Sequence, residues 1–323
     1  MRLAHLSLGV LLFASCGADA DAEDARGRVA RPPAAVATSP AATAVDVPAF
    51  DADAAFALLR AQVDFGPRVP GTSGHARQLE WMTEYLRERA DSVLLQPFTH
   101  AAKDGRTLRL TNVLARFASD QPRRVLLLAH WDTRPSADQE PDEAKRNQPV
   151  PGANDGASGV AVLLQLAEIL AGRAAPIGVD LLLTDGEDYG PGDMYLGATY
   201  FAANVGSYRP MYGILLDMVG DQNPLFPVEG NSRDLAPEVV QHVWGLAHEL
   251  GLGMMFPTRT GTWISDDHLP LNRAGIRTIN IIDFDYGPGN AYWHTLEDRI
   301  ERTSPQGLGA VGTLLVHLVY RGG

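Results

Sequence analysis

The sequence predicts an α/β domain in which a mostly parallel, twisted β-sheet is covered by helices on both faces, a three-layer sandwich. Two observations carry that expectation. Short apolar runs such as Val125-Leu126-Leu127-Leu128-Ala129 and Leu181-Leu182-Leu183 lack the alternating polar positions of a half-exposed strand, so they suit strands buried on both faces. These runs alternate with stretches of helical periodicity, which supply the crossovers a parallel sheet needs. With 323 residues, 45% of them apolar, the chain can bury a core of that size.

The elements follow in order. Phe56, Leu58, Leu59 and Val63 mark a first helix. The turn-rich stretch Phe65-Gly66-Pro67-Arg68-Val69-Pro70-Gly71 follows, and then Leu79, Met82, Tyr85 and Leu86 recur at helical spacing over 75–90. Strands are expected over 93–98, 108–117 and 125–129, a helix over 160–170 and a strand over 179–184. A helix over 196–203, a strand around Ile214 and Leu216, a helix over 237–250 and a strand over 278–282 come next. Ser304-Pro305 provides an N-cap and first turn for a closing helix that runs to Tyr320.

The folded domain is expected to span 46–323. Before it, 17–45 holds Ala, Asp, Pro and Thr with almost no large apolar side chain, and so reads as a disordered tether. The apolar run at 6–15 is too short to span a bilayer, and it leads through Ala14 and Ser15 to Cys16 and Gly17. This 1–16 segment resembles a bacterial lipoprotein signal peptide, with Phe13 standing where an aliphatic residue is usual. The resemblance implies lipidation of Cys16 and an exported, membrane-anchored protein facing the periplasm or cell exterior. An ordinary cleaved secretion signal is the plainer alternative. Cys16 is the only cysteine, so no intrachain disulfide is possible. A net charge of −12 argues against non-specific binding to nucleic acid.

Acids and histidines gather where strands end. His130 closes its apolar run, Glu187 and Asp188 follow Leu181-Leu182-Leu183-Thr184-Asp185-Gly186, and Asp217 closes Ile214-Leu215-Leu216. Asp155 lies in Gly152-Ala153-Asn154-Asp155-Gly156, just before a helix, and His294 lies a dozen residues beyond the strand at 278–282. Ligands of parallel sheets bind at the carboxyl ends of strands. Each residue alone also has a plain structural reading: Asp155 as a turn or helix cap, Glu187-Asp188 as a solvated loop, His130 as a satisfied core histidine. Together they form the mixed carboxylate and imidazole set that zinc accepts in hydrolytic sites. The chain lacks a Gly-x-Ser-x-Gly elbow and a P-loop lysine, which leaves little competing chemistry.

The segments Ala129-His130-Trp131-Asp132-Thr133-Arg134-Pro135, Pro151-Gly152-Ala153-Asn154-Asp155-Gly156-Ala157-Ser158-Gly159, Asp185-Gly186-Glu187-Asp188 and Trp293-His294-Thr295 resemble the clan of zinc aminopeptidases and glutaminyl cyclases. Phe65-Gly66-Pro67-Arg68-Val69-Pro70-Gly71, Leu216-Asp217-Met218-Val219-Gly220 and Asp266-Asp267-His268-Leu269-Pro270-Leu271 are similar to segments of its cyclase branch. The resemblance implies the clan's zinc-exopeptidase architecture. It further implies Asp155, Asp188 and His294 as zinc ligands, Glu187 as acid/base, Asp217 and Asp266 as its supporting network, and Trp293 as a substrate wall. His130 and Asp217 match the second zinc site of the aminopeptidases. Two positions depart from the pattern. Asp188 stands where the clan usually has Glu, and the pocket Trp of animal cyclases has no counterpart over 189–196.

Three functions stay open at this point. A cyclase would act on peptide or protein N-termini that begin with glutamine, with one zinc. An aminopeptidase would use two zinc ions and an activated water. A catalytically silent, surface-tethered binding domain is the third reading. Trp263 is a candidate pocket residue, Trp244 a core residue, and His75, His242, His248 and His317 are read as helix-surface or core positions.

Overall fold

The computed structural model describes residues 46–323. The expected signal (1–16) and tether (17–45) lie outside the described residues.

The strands are β1 (Ser92–Ala101), β2 (Thr107–Phe117), β3 (Arg124–His130), β4 (Gly178–Thr184), β5 (Gly213–Asp217) and β6 (Thr278–Ile282). The α-helices are α1 (Ala52–Val63), α2 (Ser73–Arg87), α3 (Ala157–Gly172), α4 (Leu196–Ala203), α5 (Gly230–Leu235), α6 (Pro237–Glu249), α7 (His268–Arg273) and α8 (Pro305–Tyr320). One sheet holds the strands in the order β1-β2-β4-β3-β5-β6. β3 pairs in parallel with β4 and β5, and β5 in parallel with β6, whereas β2 runs antiparallel to both β1 and β4. The reason is the connection. β1 and β2 are joined by a short turn, which permits only antiparallel pairing, whereas α3 and α4 carry the chain back after β3 and β4.

Alternate residues of the central strands serve opposite faces. Val125, Leu127 and Ala129 of β3 pack into the larger core with α1, α3 and α8, while Leu126 and Leu128 join Leu182, Leu215, Ala198 and Phe201 beneath α4. All seven residues of β3 and of β4 are buried, including Asp180 of β4, which pairs with Arg124. Ser304 caps α8 by accepting from the Gln306 N–H, and Pro305 opens it. α5 and α7 leave no periodic signal in the sequence. At six residues each they are too short to show a helical period.

α3 begins at Ala157 without any side-chain cap, so Asp155 is not spent on the helix end. β3 lies between β4 and β5, and the helices that follow β3 and β4 cover opposite faces of the sheet. Diverging connections of this kind open a crevice at the carboxyl ends of the strands.

Candidate functional site

That crevice receives the ends of three neighbouring strands and two loops. His130 is the last residue of β3, Asp217 the last of β5, and Glu187 and Asp188 follow β4 closely. Asp155 and His294 arrive on the loops before α3 and before α8. All six are buried. Three residues at the crevice hold left-handed backbone although none is glycine: Tyr195 (φ 59°), Met218 (φ 51°) and His294 (φ 55°). Strain of this kind concentrates at functional sites, where the surroundings over-determine the backbone.

Asp155 stands at the centre. Its Oδ1 is 3.0 Å from His130 Nε2, and its Oδ2 is 3.6 Å from His294 Nε2. His130 Nε2 is also 3.3 Å from Asp217 Oδ1, and His294 Nε2 is 3.5 Å from Asp188 Oδ1. Two triads result, His130–Asp155–Asp217 and Asp155–Asp188–His294, each with its donor atoms within 4.8 Å of one another. Ligands arranged tetrahedrally around zinc at about 2.0–2.1 Å lie roughly 3.3 Å apart, so both triads have a suitable spread. Asp188 reaches its triad despite being shorter than Glu.

The electrostatics point the same way. Burial pushes Asp217 up to about 6, and burial together with the Asp155 carboxylate pushes Asp188 up to about 7. Burial and Asp266 drive Glu187 well above the usual carboxylate range. Burial and Asp217 push Asp266 up to about 7. Burial opposes the charged form of His130, yet contacts with Asp132, Asp155 and Asp217 hold it well above the ordinary histidine value. Crowded, buried carboxylates that resist ionisation are relieved by a bound cation. The orphaned Nδ1 atoms of His130 and His294 face Asp132 and Asp138, as expected of imidazoles whose Nε2 is turned to a metal. The residues present therefore fit a divalent metal.

The comparisons with known proteins agree with this geometry. The family model "Peptidase family M28" matches residues 112–319. The chain belongs to peptidase family M28. Among solved structures, this M28 chain is similar to a glutaminyl cyclase of Bacteroides thetaiotaomicron crystallised with N-acetylhistamine, at 38% identity and a TM-score of 0.83 over 86% of this chain and 100% of that one. It is equally similar to a Zn-dependent exopeptidase of Parabacteroides distasonis, at 38% identity and a TM-score of 0.82 over 85% and 99% of the two chains. A glutaminyl-peptide cyclotransferase of Drosophila melanogaster is 27% identical over 262 residues, covering 72% of this chain and 70% of that protein.

In this M28 chain a cavity of about 340 Å³ opens onto the Asp155–Asp188–His294 triad, and Glu187, Tyr195, Trp263, Asp266 and Trp293 complete its walls. The Trp293 ring lies over His294 with centroids 3.7 Å apart, and Phe284 meets it edge-on at 5.1 Å. No tryptophan follows the acid pair. Tyr195 occupies that part of the wall instead, its hydroxyl donating to the Ser265 carbonyl at 2.8 Å. A second hollow of about 440 Å³ shares the residues Thr262, Ile264, Ile282 and Phe284 with the first. Asp217 and Asp266 do not hydrogen-bond to Glu187. Asp217 pairs with His130, while Asp266 accepts from Asn280 Nδ2 at 2.7 Å and the Asp267 N–H at 2.6 Å. The influence of Asp266 on Glu187 passes through space.

Several site residues lie outside the expected set. Asp298 accepts the N–H groups of Asn154 and Asp155 at 2.7 and 3.2 Å and the Tyr286 hydroxyl at 3.0 Å, which holds the Asp155 loop in place. Buried Arg68 donates to the carbonyls of Pro151 and Gly152 in the same loop. His75 is buried, bonded to Asp185 at 2.9 Å and stacked on Trp131 at 4.2 Å. The available signal was a charged residue directly after a buried strand, as at Asp132 and Arg134. For Asp298 and Asp138 the sequence carried no signal.

Proposed function

We propose that the protein is a zinc-dependent glutaminyl-peptide cyclotransferase, closing the N-terminal glutamine of a peptide or protein into pyroglutamate with release of ammonia. The observation that carries this reading is Glu187, a buried carboxyl whose proton affinity burial and Asp266 raise well above the usual carboxylate range, inside the cavity that Asp155, Asp188 and His294 line. Asp155, Asp188 and His294 would hold the zinc. When bound, zinc supplies a Lewis acid that polarises the side-chain amide carbonyl.

The protein's own groups do the rest. Glu187 takes the proton that the α-amine loses as its nitrogen bonds to the amide carbon. It returns that proton to the departing nitrogen as the C–N bond breaks, so one carboxyl serves both transfers and ammonia leaves neutral. Asp266 raises the proton affinity of Glu187. Trp293 and Tyr195 wall the cavity and limit the water that would compete with the amine. The adjoining hollow gives room for residues that follow the glutamine.

The second triad favours one alternative, a two-metal aminopeptidase in which Glu187 deprotonates an attacking water. Two measurements separate the readings. Offered a peptide beginning with glutamine and an aminoacyl dye, a cyclase forms pyroglutamate and ammonia from the first and leaves the second intact. Release of free amino acid, with two zinc ions per chain, would sink the cyclase assignment. Activity on neither would leave the silent binding domain. The expected lipid anchor at Cys16 is tested separately by mass spectrometry of the mature N-terminus; an unmodified Cys16 ends that proposal.

A further inference from the structure

The loop after β3 carries two charges that the proposed chemistry leaves unused. Arg134 is buried, and its Nη1 contacts the Asp188 carboxylate while its Nη2 donates to Asp138 Oδ2 at 2.7 Å. The other oxygen, Asp138 Oδ1, stands 3.3 Å from His294 Nδ1. Both of those atoms are buried, and among the described residues neither has a hydrogen-bond partner. An unbroken chain of contacts therefore runs Asp188–Arg134–Asp138–His294 along one triad. Asp188 follows β4 and His294 precedes α8, more than a hundred residues apart in sequence, and a third segment ties them together. Arg134 makes no hydrogen bond or ion pair with His130 or Asp217.

The chemistry of the two groups suits this task. A guanidinium presents donors in a rigid planar fork, so it can hold two carboxylates in fixed relation where an ammonium would act as a point charge. An imidazole that ligates through Nε2 needs an acceptor at Nδ1 to set its tautomer and ring orientation, and Asp138 is the carboxylate in that position. The tie to Arg134 also fixes where the short Asp188 side chain points.

We propose that Arg134 and Asp138 work as one positioning pair that presets the Asp155–Asp188–His294 triad, so that metal affinity at this triad, and not at the His130 triad, depends on them. The inference rests on reading that triad as a metal site. Arg134 borders the cavity and Asp138 lies outside its lining, and neither is a ligand or the proton carrier in the proposed chemistry.

The test is zinc affinity of the full-length protein, stripped with a chelator and titrated against a competing zinc indicator. Arg134→Lys and Asp138→Asn are each expected to weaken binding by about ten- to a hundred-fold, in line with other outer-shell changes. The double variant should lose little more than the worse single one, because two parts of one device do not add. Cobalt(II) bound in place of zinc should show a shifted visible spectrum in both single variants. The same loss should persist in a His130→Ala background. If Arg134→Lys fails to fold, Asp138→Asn alone decides. Affinity within twofold of the unmodified protein, additive losses, or disappearance of the effect in the His130→Ala background would each overturn the pair. Failure of the unmodified protein to bind zinc would instead overturn the metal reading itself.

Discussion

Asp132, just beyond β3, accepts the Glu187 N–H on Oδ1 at 3.0 Å and the Asp188 N–H on Oδ2 at 3.2 Å. One buried carboxylate thus sets the backbone that carries both the proposed proton carrier and a proposed ligand. An amide at this position keeps one accepting oxygen and strands one N–H. Asp132→Asn should therefore lose about 1–3 kcal/mol of stability, the cost of an unsatisfied buried donor, along with part of its activity. Denaturant melts beside turnover assays check this; a variant indistinguishable in both would mean that water fills the gap.

Glu187→Gln preserves shape but cannot shuttle a proton. The variant should bind zinc as the unmodified protein does and turn over about a hundred- to ten-thousand-fold more slowly. Undiminished turnover would remove Glu187 from the chemistry.

Gly156 lies where the chain passes directly over the β3 exit, and a Cβ there would stand 2.4 Å from His130 Nε2. Gly156→Ala must push the imidazole away from Asp155 and Asp217. A displacement of about 1 Å near a reacting centre can cost on the order of a hundredfold in rate, and a loss of that size is expected. A crystal structure of the variant with His130 unmoved would contradict the argument.

Asp283 is buried beside the second hollow, and burial pushes it up to about 7 from an ordinary 3.8. The unfolded chain releases this proton near its ordinary value, while the folded protein keeps it until about pH 7. Stability from this group therefore falls as pH rises from about 4 to 7 and levels off above. Asp283→Asn cannot ionise, so its stability relative to the unmodified protein should climb across that window, by up to about 4 kcal/mol. Urea melts at pH 4.5, 6 and 8 measure the difference; a constant offset at all three would refute it.

How much was legible can be judged from particular elements. β3 and β4 were readable because strands buried on both faces carry runs of consecutive apolar residues, Val125 to Ala129 and Leu181 to Leu183, and α8 because Ser304-Pro305 announces its start. The reversed direction of β2 was not readable, since an apolar run does not say which way its neighbours point. The segments carrying Asp155, Asp188 and His294 were recognisable as motifs, and the structure brings the three side chains together. Trp263, a candidate from its loop, does line the cavity. Arg134 and Asp132 lie within the motif from Ala129 to Pro135, where the sequence gives them no role. Their function is a relation to residues far along the chain.

The sequence by itself determined the layer architecture and the residue types that gather at the strand exits, because periodicity and local composition act over a few residues. Only the tertiary structure decided that Asp155 faces two histidines at once, that Arg134 joins Asp188 to Asp138, and that Tyr195 walls the cavity. Those outcomes depend on distances between segments separated by long stretches of chain, and such distances are set by packing.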